Sequence, residues 1–199
     1  DLDNIIDIGC GQGYFLENLM INKKTAFGID LSAEQIKACD ERNLNAKVMD
    51  LADVKEKFDC ATAIFDVLNY IPKEDLKSFI TQVNIVLNQG AYFIFDVNSL
   101  FGFEEVAQGC ITIDLEDKFI AIDANFENNK LQTDITLFTK ENGGLFSKES
   151  DSIIQEYHTK EFLRKLLKEC NFEIQEIKKF NLHTDEHADK LIFICKKIA

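Results

Sequence analysis

A chain of 199 residues, 46% of them hydrophobic, can bury one well-formed core but is too short for two ordinary domains and a linker, so a single domain is expected over 1–199. Its 35 acidic against 22 basic side chains leave a formal net charge of −13, which repels polyanions at long range and argues against nucleic acid as a partner. Six cysteines without a CxxC pair, three histidines outside any zinc-like spacing and no apolar run approaching about 18 residues point to a reduced, cytoplasmic chain with no metal site, signal peptide or membrane span.

Asn4 to Ile8 is a short apolar run, ended by the glycines of "DIGCGQG". Tyr14 to Ile21 then repeats Phe15, Leu16, Leu19 and Met20 at helical spacing. A second strand is predicted over Thr25–Ile29, followed by Ser32 and Gln35 as a capping box and a helix over Ala33–Arg42. Strands over Ala46–Met49 and Phe58–Phe65 follow. A helix is predicted from Lys73 to Leu87 behind Pro72, then a turn at Asn88-Gln89-Gly90 and a fifth strand over Ala91–Val97. Strands alternating with helices imply an α/β fold, a doubly wound and mostly parallel sheet with helices on both faces.

From Phe103 the period changes to two. Segments such as "KFIAIDANF" and "KLQTDITLFTK", parted at Asn128-Asn129 and Asn142-Gly143-Gly144, predict an antiparallel β insertion of three or four strands over 103–157. A helix resumes at Thr159, carrying Phe162, Leu163, Leu166 and Leu167, and ends near Cys170-Asn171. Strands over Phe172–Leu182 and Leu191–Cys195 close the chain.

A glycine turn leaving the carboxyl end of the first parallel strand lies where doubly wound folds bind nucleotides, although the same turn can simply join strand to helix. Two more features weigh on the choice. Asp30 ends the second strand in "FGIDLS", placed to accept hydrogen bonds from ribose hydroxyls, and Asp50 ends the third in "KVMDLAD", beside the position of a base. The run is GxGxG with Asp7 two residues upstream, not the GxGxxG that admits a pyrophosphate. A carboxylate there opposes a pyrophosphate and suits a cationic nucleoside.

In order, "DIGCGQG", "GIDLS", "MDLAD" and "FDCATAIFDVLNYI" resemble the consecutive motifs of class I methyltransferases that use S-adenosylmethionine. The resemblance implies a seven-stranded Rossmann-like sheet with an antiparallel pair of closing strands. It implies cofactor contacts from the glycine loop with its neighbours (Asp7, Gly9, Cys10, Gly11, Gly13, Tyr14), from Asp30 on the ribose, from Leu31 on the adenine, from Asp50 and Leu51 at its edge, and from Phe65. It also implies that the segment that often lids the cofactor in this family, ahead of the first strand, is absent, leaving an open pocket.

Strand four ends in "IFDVLNY", without the paired prolines or Pro-Cys of the DNA methyltransferases; the only proline is Pro72. "FDVLNYI", "FDVNS" and the strand-rich insertion are similar to small-molecule methyltransferases, among them N-methyltransferases of nucleotide-linked amino sugars, in which the insertion covers the substrate pocket or makes a dimer contact. The resemblance therefore implies methyl transfer to nitrogen or oxygen of a small acceptor, and a homodimer through the insertion. Candidates near the chemistry are Tyr14, Asp66, Asn69, Tyr70, Asn98, Tyr157 and His158. His158, Tyr70 and Asn69 lead, the histidine because its ordinary titration lies near neutrality. Where relatives carry a His-x-Gln-Arg-like stretch this chain has Ile153-Ile154-Gln155-Glu156, which leaves open a binding protein without turnover. A nicotinamide-dependent oxidoreductase is the third reading, disfavoured by the glycine spacing.

Overall fold

Strand β1 (Ile5–Ile8) is buried at all four residues, as a central parallel strand covered on both faces has to be. A computed structural model describes residues 2–181 and 187–198. After β1 come α1 (Tyr14–Ile21), β2 (Ala26–Asp30), α2 (Ala33–Glu41), β3 (Ala46–Val48), β4 (Phe58–Ala63), α3 (Leu76–Val86) and β5 (Leu87–Asn98). The Ser32 side chain accepts from the Gln35 amide at 3.3 Å and starts α2, the capping interaction the sequence predicts.

The first compact unit takes the residues up to 97 with 158–180 and those from 191 onward. It also holds α4 (Lys160–Glu169), β10 (Phe172–Phe180) and nearly all of β11 (Lys190–Lys197). Its seven strands run in the order β10-β11-β5-β4-β1-β2-β3, with β1 parallel to both β2 and β4, β2 to β3, and β4 to β5. The doubly wound α/β sheet with seven strands is thus as expected. The chain winds outward from β1 through β2 to β3, then restarts on the other side at β4. That change of direction between β1 and β4 is the topological switch point, where the strand ends diverge and open a crevice.

Period-two burial splits the core into two layers. Ile5, Ala26 and Cys60 pack with Leu16 of α1 and with Ile36 and Cys39 of α2. On the other face Ile6, Ile8, Phe93 and Phe95 pack with Leu76, Ile80 and Val83 of α3 and Leu163 and Leu167 of α4. Thr159 caps α4, its hydroxyl accepting from the Phe162 amide at 3.2 Å.

Three of the boundaries that differ from expectation have a visible cause. Asn88-Gln89-Gly90 is no turn between elements but an irregularity inside β5: Phe58 pairs with Leu87 and Cys60 already with Tyr92, so the extra residues bulge out of the ladder. Helix α3 begins at Leu76, because the amides of Asp75 and Leu76 are taken by the Pro72 carbonyl in a preceding turn. Strand β4 stops at Ala63 and the chain passes into a 3-10 turn over Val67–Tyr70. The predicted end of the closing strand at Leu182, and His183, lie outside the described residues.

The second unit takes residues 98–157 with 181–190, of which 182–186 are not described. It is an antiparallel sheet in the order β6 (Gly109–Asp114), β7 (Lys118–Glu127), β8 (Lys130–Lys140), β9 (Phe146–Glu156). Asn128 and Asn129, at φ +54° and +62°, form the tight left-handed connection that hairpins prefer. Phe103, fully buried, stacks on Phe126 at 5.1 Å and meets Tyr157 edge-on at 6.0 Å.

Candidate functional site

At the carboxyl ends of β1, β2 and β3, inside the first unit, lies a cavity of about 590 Å³, within the range usual for small-molecule and cofactor sites. Ile8 and Gly9 supply one wall, Ile29, Asp30 and Leu31 the tip of β2, and Met49 to Ala52 the tip of β3. The long flank comes from Val67 and Ile71, after β4, and from Asp75, Ser78, Phe79 and Gln82. The sequence-predicted residues Gly9, Asp30, Leu31, Asp50 and Leu51 are therefore brought together.

The tips of β1 and β2 touch. Asp30 Oδ2 accepts from the Gly11 amide at 2.9 Å, and Oδ1 accepts from the Ser32 amide at 2.9 Å. Each carboxylate oxygen has a second lone pair, so Asp30 can hold the glycine loop and still accept from a hydroxyl in the cavity. Asp50 accepts from the Ala52 amide at 2.8 Å, starting the 3-10 turn Leu51–Asp53, and likewise keeps acceptor capacity. Asp75, at the start of α3, brings a third carboxylate to the same cavity. An anionic lining of this kind favours a cationic guest.

Only part of the glycine loop is bare. A Cβ on Gly11 would meet nothing within 4 Å, whereas one on Gly9 would stand 2.9 Å from Val67 Cγ2, and one on Gly13 would stand 2.6 Å from Leu44 Cδ1 and 2.8 Å from Cys39 Sγ. Of the three glycines, Gly11 leaves open backbone, and Gly9 and Gly13 make room for side chains of the protein itself. All three also have positive φ, which alone favours glycine.

Several predicted residues sit apart from the cavity lining. Asp7 is buried beneath the loop, accepting from the Thr62 hydroxyl at 2.7 Å, and burial, aided by the nearby Asp30 carboxylate, raises its titration to about 7. Cys10 is buried, and burial together with Asp7 holds its thiol well above the usual range, so it is no nucleophile. Tyr14 is exposed at the start of α1 with the Arg42 guanidinium 4.7 Å over its ring. Phe65, two residues past the end of β4, is 67% exposed.

The three leading acid–base candidates part company. Tyr70 is 52% exposed at the end of the 3-10 turn, whereas Asn69 beside it is fully buried. His158 is 3% exposed, with Nε2 3.0 Å from the Leu68 carbonyl; since a carbonyl can only accept, Nε2 carries the proton in that bond. The expectation of a histidine presenting its ring to substrate is not met: it supports the 3-10 turn from within. Burial follows from the apolar face of α4, which begins immediately after it and draws the chain into the core.

Sequence reasoning missed the flank from α3. The signal was present: Asp75, Ser78, Phe79 and Gln82 recur at helical spacing, beside the fully apolar stripe of Leu76, Ile80 and Val83.

A parallel sheet switching at β1/β4, a glycine loop bonded to the carboxylate at the tip of β2 and an acid-lined cavity are the arrangement that the motif resemblance leads one to expect. Comparison with known proteins agrees. A family described as methyltransferase domain matches residues 5–90. A provisionally named methyltransferase of Geobacillus sp. (strain WCH70) is 21% identical over 97% of this chain and 84% of that protein. An S-adenosylmethionine-dependent methyltransferase from Clostridium acetobutylicum superposes with a TM-score of 0.83 at 24% identity, over all of this chain and 85% of the other. A sugar N-methyltransferase from Streptoalloteichus sp. superposes with a TM-score of 0.78 at 14% identity, over all of this chain and 81% of the other. The two superpositions carry the fold; residues 5–90 carry the methyltransferase domain itself. Residues 5–90 are thus a methyltransferase domain, in the place the motif order implies. Among the described residues no helix is long and apolar enough to cross a membrane.

Proposed function

We propose that this chain binds S-adenosylmethionine across the tips of β1, β2 and β3 and passes its methyl group to a nitrogen or oxygen of a small-molecule acceptor. The observation that carries the reading is the Gly11–Asp30 bond, which joins the bare loop to an acceptor at the mouth of the acid-lined cavity. Asp30 would accept from the ribose, Leu31 would pack on the base plane, Asp50 and Leu51 would lie at its edge, and the open backbone at Gly11 would face the amino-acid end. When bound, the cofactor supplies a methyl group already activated on a cationic sulfur, so the protein has mainly to align the acceptor and exclude water.

Tyr70 would relay the acceptor's proton: it is the exposed member of the 3-10 turn, which His158 supports from its buried side through the Leu68 carbonyl. The likeness to the Streptoalloteichus sugar N-methyltransferase favours an amine on a small polar acceptor. The charge of −13 disfavours nucleic acid, and six free thiols favour a reducing, cytoplasmic setting. A homodimer through the antiparallel sheet of the second unit belongs to the same reading.

Titration calorimetry with S-adenosylhomocysteine and with NAD, followed by a methyl-transfer assay over a panel of amines and alcohols, tests the function. Binding of S-adenosylhomocysteine with turnover on at least one acceptor is expected. Binding of NAD alone overturns the reading, and binding of S-adenosylhomocysteine with no turnover on any acceptor converts it to a cofactor-binding protein.

A further inference from the structure

The backbone leaves β4 in an unusual way. Phe65 and Asp66, neither of them glycine, are consecutive residues in the left-handed region, at φ +68° and +66°. Side-chain-bearing residues avoid this region, and one as bulky as Phe does so strongly; where such a pair persists, the surroundings must hold it.

One such restraint comes from the neighbouring strand. Asp96, near the end of β5 and 5% exposed, accepts from the Phe65 amide through Oδ1 at 2.7 Å. Hydrogen bonds to a charged acceptor are the strong ones, and at a buried position the bond is little screened. What the pair controls follows at once along the chain. Directly after Asp66, Val67 sets its Cγ2 in the space a Cβ on Gly9 would occupy, and Val67 and Ile71 line the cavity together with the tips of β2 and β3. A change of φ at residue 65 or 66 would swing Val67 off Gly9 and alter the width of the cavity.

We infer that Asp96 is a positioning residue for the nucleoside: by fixing the left-handed pair Phe65–Asp66 through the Phe65 amide, it sets Val67 and Ile71 at the distance from β2 and β3 that a bound adenosine requires. The inference rests on the cofactor site proposed above. Asp96 touches neither cofactor nor acceptor in this role and acts through the backbone of the following segment. Glycine at 65 or 66 would have relieved the backbone without help; the sequence keeps two side chains there and spends a buried carboxylate on holding them.

The test is calorimetry with S-adenosylhomocysteine on the full chain and on D96A, D96N, D66G and D96A/D66G. In D96A affinity should fall at least tenfold, while D96N, whose amide oxygen still accepts from Phe65, should stay within about threefold of the unaltered chain. Glycine at 66 removes much of the reason for the restraint, so D96A should cost several-fold less in the D66G background than in the unaltered one. An affinity in D96A within twofold of the unaltered chain overturns the inference, as do losses that simply multiply in the double variant. Amide exchange on the unaltered chain decides even if D96A does not fold: the Phe65 amide should be protected and become slower with S-adenosylhomocysteine bound, and exchange at the rate of an open loop overturns the inference. If the unaltered chain binds no S-adenosylhomocysteine, the cofactor reading itself falls; if it binds and D96A binds equally, only the role of Asp96 falls.

Discussion

The Gly11 amide and the Asp30 carboxylate meet at 2.9 Å, and the second oxygen of the same carboxylate takes the Ser32 amide. One side chain thus fixes the turn that ends β1 and the start of the helix that follows β2. A ligand lying over the loop and reaching Asp30 meets two elements already locked to each other, so little ordering remains to be done on binding. The joint also explains why the glycine turn and the acid at the next strand tip have to be read together: either alone is a connection, and the pair is a preformed cradle.

Replacing Asp30 by Ala should therefore weaken S-adenosylhomocysteine by about 1.5–3 kcal/mol, the usual worth of hydrogen bonds to a charged group. Asp30→Asn should fall between, since its one oxygen cannot serve all the donors while its amide group repels one of the two backbone N–H groups. Calorimetry checks both, and an unchanged affinity in the Ala variant would show that the ribose lies elsewhere.

The glycines differ in what they make room for, which separates two outcomes. Ala at either 11 or 13 carries the left-handed penalty of about 1–2 kcal/mol. At 13 the methyl group would also press on Leu44 and Cys39, and overpacking of this kind costs about 1–3 kcal/mol more. Urea unfolding should rank Gly13→Ala clearly below Gly11→Ala in stability, and equal midpoints would contradict the packing seen around residue 13.

What the sequence disclosed, and what it hid, divides by the distance over which the cause acts. Asp30 and Asp50 could be placed because each closes a short apolar strand just before a helix or turn start, a local pattern. Gly9 and Gly13 could be marked as special but not explained, because the side chains that occupy their Cβ positions belong to Val67 and to Leu44 and Cys39. Phe65 reads as the last residue of a strand and Asp66 as the residue after it; the left-handed backbone of the pair is held through the Phe65 amide by Asp96, 31 residues further on. Asn88-Gln89-Gly90 has turn composition, yet pairing between β4 and β5 on either side absorbs it as a bulge. His158 was attractive for its chemistry, and only the docking of α4 shows that its ring faces Leu68.

Asp7 gives the chain a pH dependence whose sign can be worked out. Its carboxyl titrates near 7 when folded, raised by burial from an ordinary value of 3.8. The folded chain then holds this proton more tightly than the unfolded one, so the stabilisation is complete below about pH 4 and is lost as pH rises to and through 7. Asp7→Asn, whose amide oxygen can still accept from the Thr62 hydroxyl, should flatten that slope and be the more stable chain at pH 8, by up to about 4 kcal/mol. Urea midpoints at pH 5, 6, 7 and 8 measure it; parallel curves for the two chains would mean that Asp7 titrates normally.

Tyr70 and His158 should separate by the property each one changes. Tyr70→Phe is expected to lower turnover by about a hundredfold, with S-adenosylhomocysteine affinity within a factor of two, as suits a proton relay outside the nucleoside site. His158→Ala strips the Leu68 carbonyl of a buried donor and opens a cavity, so it should lower stability by about 2–4 kcal/mol. Single-turnover rates and thermal midpoints on both variants check the division. A His158→Ala chain of full stability but no turnover would return the histidine to the chemistry.

The sheet of the second unit presents one strongly apolar face. Cross-strand pairing places Ile111, Ile122 and Ile135 in one row and Ile113, Ile120 and Leu137 in the next, since directly opposed residues share a face. Both rows end on β9 in an acid, Asp151 and Glu149. Ile111 is largely open to solvent and Ile113 partly so, and the other four are half-buried, so the two rows form one contiguous apolar strip and not residues scattered singly. A second copy laid on this face would bury the aliphatic rows and keep the acids at the rim. Light scattering after size exclusion should then give a dimer for the unaltered chain at micromolar concentration and a monomer for Ile113→Asp. Because Ile113 is already partly exposed, its replacement leaves the core of the first unit untouched, and the thermal midpoint of that unit should not move. A monomer for the unaltered chain at 100-fold higher concentration would remove the dimer and leave those rows without a purpose in this structure.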